Sequence, residues 1–140
     1  MDKKFTIGFI VVFLVVGILE SIVNLFLMTS VYQQTASLWR PGGEIKMWLI
    51  FVCYAFFAFF FTLIYAQGHE GKGPMEGVRF GLYVTGLMTV PAVYGTYAVM
   101  PVPYSLALQW FICGLIENVV AGILLSLVYG KLKARPAAAA

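Results

Sequence analysis

Charge is what this chain has least of. Of its 140 residues, nine are Lys or Arg, six are Asp or Glu, and one is His. Charged residues make up 11% of the chain, against roughly 25% in a soluble domain. So little charge cannot cover a water-exposed surface, and a lipid bilayer is the solvent that fits. The net charge of +3 is small, and its basic residues sit at the ends of apolar runs. That placement orients a membrane protein and gives no sign of a nucleic-acid partner. The single histidine, His69, rules out bis-histidine haem ligation within one chain. No Glu-x-x-His accompanies the acids, so no metal or cofactor is expected. The two cysteines, Cys53 and Cys113, lie inside apolar runs without a C-x-x-C and read as small buried thiols. No apolar run holds a Ser/His or Cys/His set, so the chain is not expected to be an enzyme. Gly71-Lys72-Gly73 lacks the spacing of a phosphate loop.

Apolar sequence is abundant: 61% of residues are hydrophobic, and the mean hydropathy is +0.91. Four runs have the length of a bilayer crossing, which takes about 20 residues. They cover about residues 5–32, 47–66, 80–99 and 105–130. The first runs too far to be a signal-peptide core and reads as an uncleaved span. The expected fold is all-α: a polytopic four-transmembrane-helix bundle in one domain, 1–135, with a disordered tail at 136–140. The segment 33–46, with Trp39-Arg40-Pro41-Gly42-Gly43, ends the first span. The segment 67–79, with His69, Glu70, Lys72, Glu76 and Arg79, reads as a solvated loop. Met100-Pro101-Val102-Pro103 makes the last two spans antiparallel neighbours, and Pro91 is expected to kink the third. Lys3, Lys4, Lys72, Arg79, Lys131, Lys133 and Arg135 fall on one side, and Arg40 and Lys46 on the other. The positive-inside rule then predicts both termini in the cytoplasm, N-in/C-in. Trp39, Trp48 and Tyr104 would mark the outer interface, with Tyr65 and Tyr129 at the inner one.

Small residues recur every fourth position in two rows. Gly77, Gly81, Thr85 and Thr89 form one; Gly114, Asn118, Gly122, Ser126 and Gly130 form the other. Such rows let helix backbones approach closely, which assigns Gly81, Thr85, Thr89, Gly114, Gly122 and Ser126 to helix packing. The second row is long for the interior of a four-helix bundle. It points to a homo-oligomer or to attachment within a larger membrane complex.

Two spans carry an acid near their middle: Gly17-Ile18-Leu19-Glu20-Ser21-Ile22-Val23-Asn24, and Gly114-Leu115-Ile116-Glu117-Asn118-Val119-Val120-Ala121. A charged acid at the bilayer centre costs about 3 kcal/mol, so both should face inward. The expected polar stripe is Glu20, Ser21, Asn24, Gln109, Glu117 and Asn118. No Lys or Arg lies within any span. Two close carboxyls must then share a proton, hold a cation, or stay neutral as hydrogen-bond donors. The expected function is that of a non-enzymatic integral membrane protein, an oligomer or accessory subunit with a buried Glu/Asn core. The alternative is a small proton- or cation-coupled transporter using Glu20 and Glu117. The matched acidic phrases suggest an inverted repeat of the kind transporters use.

Four stretches carry a resemblance: Leu38-Trp39-Arg40-Pro41, the run Phe60-Phe61-Thr62-Leu63-Ile64-Tyr65-Ala66-Gln67-Gly68, Arg79-Phe80-Gly81-Leu82, and Gly95-Thr96-Tyr97-Ala98-Val99-Met100-Pro101. On these the chain resembles small four-span proteins of the bacterial inner (cytoplasmic) membrane. The resemblance implies a multi-pass location there and no activity. Four short spans with a glutamate in the first also give a loose likeness to small multidrug transporters. The chain departs from these in its longer loops, its second acid in span four and its one-sided charge, which argue against a dual-topology antiparallel dimer.

Overall fold

A computed structural model describes residues 2–133 of the chain. Among these residues there is no strand. Helix α1 (Lys3–Ile22) runs into a π-helical turn (Val23–Leu27) and then a short α2 (Thr29–Gln34). Two 3-10 turns, Ala36–Leu38 and Gly42–Glu44, lead to α3 (Met47–Gly68). Helix α4 (Pro74–Val84) continues through a second π-helical turn (Thr85–Thr89) into α5 (Val90–Val99). Helix α6 (Tyr104–Lys133) completes the fold. The expected tail at 136–140 lies outside the described residues.

Among the described residues three helices are long and apolar enough to cross a membrane: Lys3–Leu27, Met47–Gly68 and Tyr104–Leu132. The first has 25 residues; at 1.5 Å per residue that is about 37 Å, more than the ~30 Å hydrocarbon core. Their outward faces are apolar, as bilayer solvent requires: Phe26 is 77% exposed and Phe56 63%. The arm at 74–99 is helical throughout but richer in Gly, Thr and Tyr, and it is not among the three.

Glycine decides which helices touch. Helix α4 packs along α6, and α1 packs on both α3 and α6. A Cβ at Gly77 would collide with the Gly122 carbonyl, and one at Gly122 with the Gly77 carbonyl. A Cβ at Gly81 would sit 2.5 Å from the Asn118 carbonyl oxygen, and one at Gly114 2.7 Å from Thr89 Cγ2. The two backbones are in contact, which only glycine permits. From Gly114 to Gly122 the small-residue row of α6 is filled by the chain's own α4 arm.

Apolar side chains form two clusters at different depths. One joins Val12, Val16, Ala58, Phe61, Tyr65, Val84, Ala121, Leu125 and Tyr129. The other centres on Met28, Val102 and Leu106, with Tyr32, Leu38, Trp39 and Trp110 packed against it. Tyr65 and Tyr129 pack inside the helix bundle near the ends of α3 and α6: they are 2% and 6% exposed. Each ring is within 5.4 Å of the other and of the His69 ring. Cys53 is exposed, contrary to the buried thiol expected, and both cysteines are free.

The segment 67–79 is not a solvated loop. Only residues 69–73 lie outside helices, and they fold around Glu76, which is buried. The amides of Glu70 and Lys72 donate to Glu76 Oε1 and Oε2 at 2.9 and 2.7 Å, and His69 Nδ1 lies 2.9 Å from Oε1. Burial pushes the Glu76 carboxyl up, but the two amides and His69 outweigh it and hold the group below its ordinary range. Gly71 and Gly73, at φ +79° and +77°, supply the left-handed turns that bring those amides round.

Candidate functional site

Between the two apolar clusters lies a cavity of about 400 Å³. All four helical arms line it. Helix α1 and its π turn contribute Glu20, Val23 and Asn24; α3 contributes Cys53, Tyr54 and Phe57. The second π turn and α5 contribute Met88, Thr89, Ala92 and Val93. Helix α6 contributes Trp110, Cys113, Gly114, Glu117 and Asn118. The volume falls in the range of small-ligand sites, and the wall has their usual character: apolar and aromatic with a few converging polar groups.

The two π turns explain why space remains here. A π turn carries an extra residue per turn, which widens the helix and re-aims the side chains that follow; such turns often mark functional sites. One lies beside Asn24 and the other beside Thr89, on opposite walls. In the second arm the widening occurs at Thr85–Thr89, just before Pro91.

Polar groups on the α1 side form a connected track. Trp110 Nε1 donates to Tyr32 OH at 3.0 Å, and Tyr32 OH donates to Asn24 Oδ1 at 2.8 Å. Asn24 Nδ2 donates to Glu20 Oε2 at 2.6 Å and to the Glu20 carbonyl at 2.8 Å. The rings of Trp39, Tyr32 and Trp110 pack edge to face above it. On the other wall, Asn118 Nδ2 donates to the hydroxyls of Thr85 and Thr89 at 3.1 and 3.0 Å. The Thr85 hydroxyl in turn donates to the Gly81 carbonyl.

Glu117 differs from these. Its Oε1 is buried and has no hydrogen-bond partner among the described residues. Among the described residues no Lys, Arg or His lines the cavity. Two carboxyls that share such a space need a proton or a cation with them.

Of the six residues expected in the polar stripe, four line the cavity: Glu20, Asn24, Glu117 and Asn118. Ser21 does not. It follows Glu20 by one residue, which turns it about 100° away; it is exposed, and its hydroxyl donates to the Gly17 carbonyl at 2.6 Å. Gln109 does not line it either, because the next residue, Trp110, takes that place; Gln109 Oε1 is buried without a partner. The packing residues Gly81, Thr85, Thr89, Gly114 and Gly122 meet their counterparts across the α4–α6 seam. Ser126 is buried and bonds the Ile123 carbonyl of its own helix.

Sequence reasoning missed Tyr32, Trp110 and Glu76. Tyr32 had a signal: it lies eight residues after Asn24, near two turns on. The π turns have no composition signature, so the join between Tyr32 and Asn24 was out of reach.

Among the described residues no group of three or more His, Cys, Asp or Glu is placed to hold a metal ion. No protein-family model, no curated protein and no solved structure matches this chain.

Proposed function

We propose that this chain is a small proton- or cation-coupled transporter that works through Glu20 and Glu117. One observation carries the reading. The two carboxyls, on separate helices, open on one cavity large enough for a solute, with one carboxyl oxygen unpartnered and no cation in the wall. The Glu117 carboxyl lies beside that of Glu20 across the α1–α6 contact, so the pair must hold a proton or a cation between them. In this reading Glu117 takes up a proton or a cation, and Asn24 orients Glu20 beside it. The Tyr32–Trp110 pair stands over the site from the side of the second apolar cluster.

The reading includes four crossings, with about residues 80–99 as the third, both termini in the cytoplasm, and a bacterial inner membrane as the location. The packing of α4 and α5 along α6 supports a common depth for the two arms. The basic residues at the two ends support the orientation.

The test is to purify the protein into lipid vesicles and replace each acid with Gln. Gln keeps shape and most hydrogen bonding but cannot titrate. Wild type is expected to carry protons or a cation across the vesicle membrane, and Glu20→Gln and Glu117→Gln to lose that flux while staying folded.

A second reading has the chain as a non-enzymatic subunit of a membrane assembly, with its polar core as glue. The two bonds from Asn118 to Thr85 and Thr89 favour it, since they join helices and nothing else. Unchanged physiology with Gln at both acids, but collapse with Leu, would support this reading over transport.

A further inference from the structure

At the level of the cavity the helices make an arc, not a closed ring. Helix α1 packs on α3 and on α6, and α6 packs on α4 and α5. Towards the His69 end, α3 also meets α4 through the rings of Phe61 and Tyr65 on Phe80. Beside the cavity, α3 makes no extended contact with the second π turn or with α5. Cys53 of α3 and Met88 of that π turn both line the cavity, yet Cys53 is exposed and Met88 is 54% exposed. The cavity therefore opens through the side of the bundle, between α3 and α5. Cys53 lies six residues after Met47, about 9 Å along the helix axis. In a four-crossing protein that depth is hydrocarbon, so the mouth faces lipid. A solute that enters there must dissolve in lipid.

The polar groups of the wall say what else the solute carries. Asn24 Nδ2 commits both hydrogens to Glu20, and Asn118 Nδ2 commits both to Thr85 and Thr89. Trp110 Nε1 is committed to Tyr32. The amide and indole donors are thus used up. What is left over is an acceptor, the buried Glu117 Oε1, beside the Glu20 carboxyl. An anion would meet two carboxyls and no cation. A hard metal ion takes six or more oxygens, and most of this wall is carbon and sulfur. A protonated amine fits both demands. Its N–H groups donate to acceptors that lack donors, in the strong charge-assisted form. The rings of Tyr54, Phe57 and Trp110 line the same space, where aromatic groups attract a cation and bed its apolar body. A quaternary ammonium would bring charge without an N–H and leave Glu117 Oε1 unpaired.

We propose that the cavity binds a lipophilic protonated amine, its N–H groups bridging the Glu20 and Glu117 carboxyls and its apolar body among Tyr54, Phe57 and Trp110. The proposal rests on the transport reading above and names the class of solute. The lateral mouth asks for an apolar body, and the leftover acceptor asks for an N–H donor. A cavity of about 400 Å³ has room for a ring and a short chain. The ammonium takes the place between the two carboxyls that a proton or another cation otherwise holds.

The test is isothermal titration calorimetry on the full-length protein in detergent at neutral pH, with protein-free micelles as the blank. Three probes of one shape are compared: phenethylamine, its trimethylammonium analogue and neutral phenethyl alcohol. The amine is expected to bind about tenfold or more tightly than either, the size of one charged hydrogen bond. Equal binding of the trimethylammonium would remove the N–H requirement, and equal binding of the alcohol would show partition into apolar space; either overturns the proposal. These comparisons use wild type alone, so they decide the matter even where a variant fails to fold. Glu20→Gln and Glu117→Gln are each expected to weaken the amine about tenfold, and Phe57→Leu about threefold. Unchanged amine affinity in both Gln variants would overturn the site. Flux in lipid vesicles separates this proposal from the transport reading. A wild-type protein that binds no amine, yet passes protons or a cation and loses that flux in Glu117→Gln, would overturn the solute class and leave the carboxyl site standing. Neither amine binding nor flux would overturn both.

Discussion

Helix α6 meets two different neighbours along its length. From Asn118 to Gly122 it lies against α4 with backbone on backbone, and nothing larger than a hydrogen fits between Gly77 and Gly122. From Trp110 to Glu117 the facing arm has widened into a π turn, and a cavity opens instead. The small-residue row reaches into the open stretch only at Gly114, where a Cβ would still press within 2.7 Å of Thr89, and Trp110 stands four residues before it. Residue size and the geometry of the opposing helix, which changes at Thr85, together decide contact against cavity. The closed stretch holds the helices together, and the open stretch holds the unpartnered carboxyl.

Changes at the closed stretch should have the largest effect. Gly77→Ala or Gly122→Ala puts a methyl into the opposing carbonyl, and neither backbone can move without the other. The expected cost is about 3 kcal/mol, at the upper end of ordinary overpacking. Thermal unfolding in detergent checks it, with Gly86→Ala as the control, since a Cβ at Gly86 meets nothing within 4 Å. Equal behaviour of Gly77→Ala and Gly86→Ala would mean the seam is looser than described.

A slightly smaller effect is expected where α4 begins. Glu76→Gln replaces a charged acceptor of two amide bonds with a neutral one and should cost about 2 kcal/mol. Its pH dependence has a definite sign. The carboxyl is held below its ordinary 4.5, so its contribution is full above that value and is lost as pH falls through the lower, folded one. An acid melting series should show wild type losing stability over that window, with the loss blunted in Glu76→Gln. Parallel curves would remove Glu76 from the account of acid stability.

The open and closed stretches also meet in one residue pair. Asn118 bonds across the seam, and Glu117 beside it faces the cavity. Asn118→Ala removes two neutral hydrogen bonds and should cost about 1–2 kcal/mol. Glu117→Gln should leave unfolding nearly unchanged and act on flux. If both variants moved stability alone, adjacent positions on α6 would not divide structure from chemistry.

Much of this was legible from the chain. Hydrophobic runs located the helices, because bilayer solvent leaves few alternatives to helix for an apolar backbone. Mid-helix acids are expensive enough to be turned inward, and Glu20, Asn24, Glu117 and Asn118 line one cavity. Ser21 lies off it, because a stripe read from nearest neighbours ignores the 100° turn per residue. Glu76 was misread because charge and glycine suggest solvent, while a carboxylate that collects two backbone amides can be buried. The π turns were invisible: nothing in Val23–Leu27 or Thr85–Thr89 distinguishes their composition from ordinary helix.

The two matched phrases test the same point on the smallest scale. Gly-x-x-Glu occurs in α1 and in α6, and as sequence the glycines look equivalent. Their surroundings are not. A Cβ on Gly114 would press within 2.7 Å of Thr89 Cγ2, whereas a Cβ on Gly17 meets nothing within 4 Å. Gly114→Ala must therefore displace Thr89, one of the two hydroxyls that Asn118 bonds, and should lower stability by about 1 kcal/mol. Gly17→Ala only restricts the unfolded chain and improves helix propensity, for a gain of about 0.5–1 kcal/mol. Opposite signs in unfolding would show that the likeness between the phrases stops at the acids. A matching loss at Gly17 would instead require a surface packed against that face of α1, and would return a partner protein to the account.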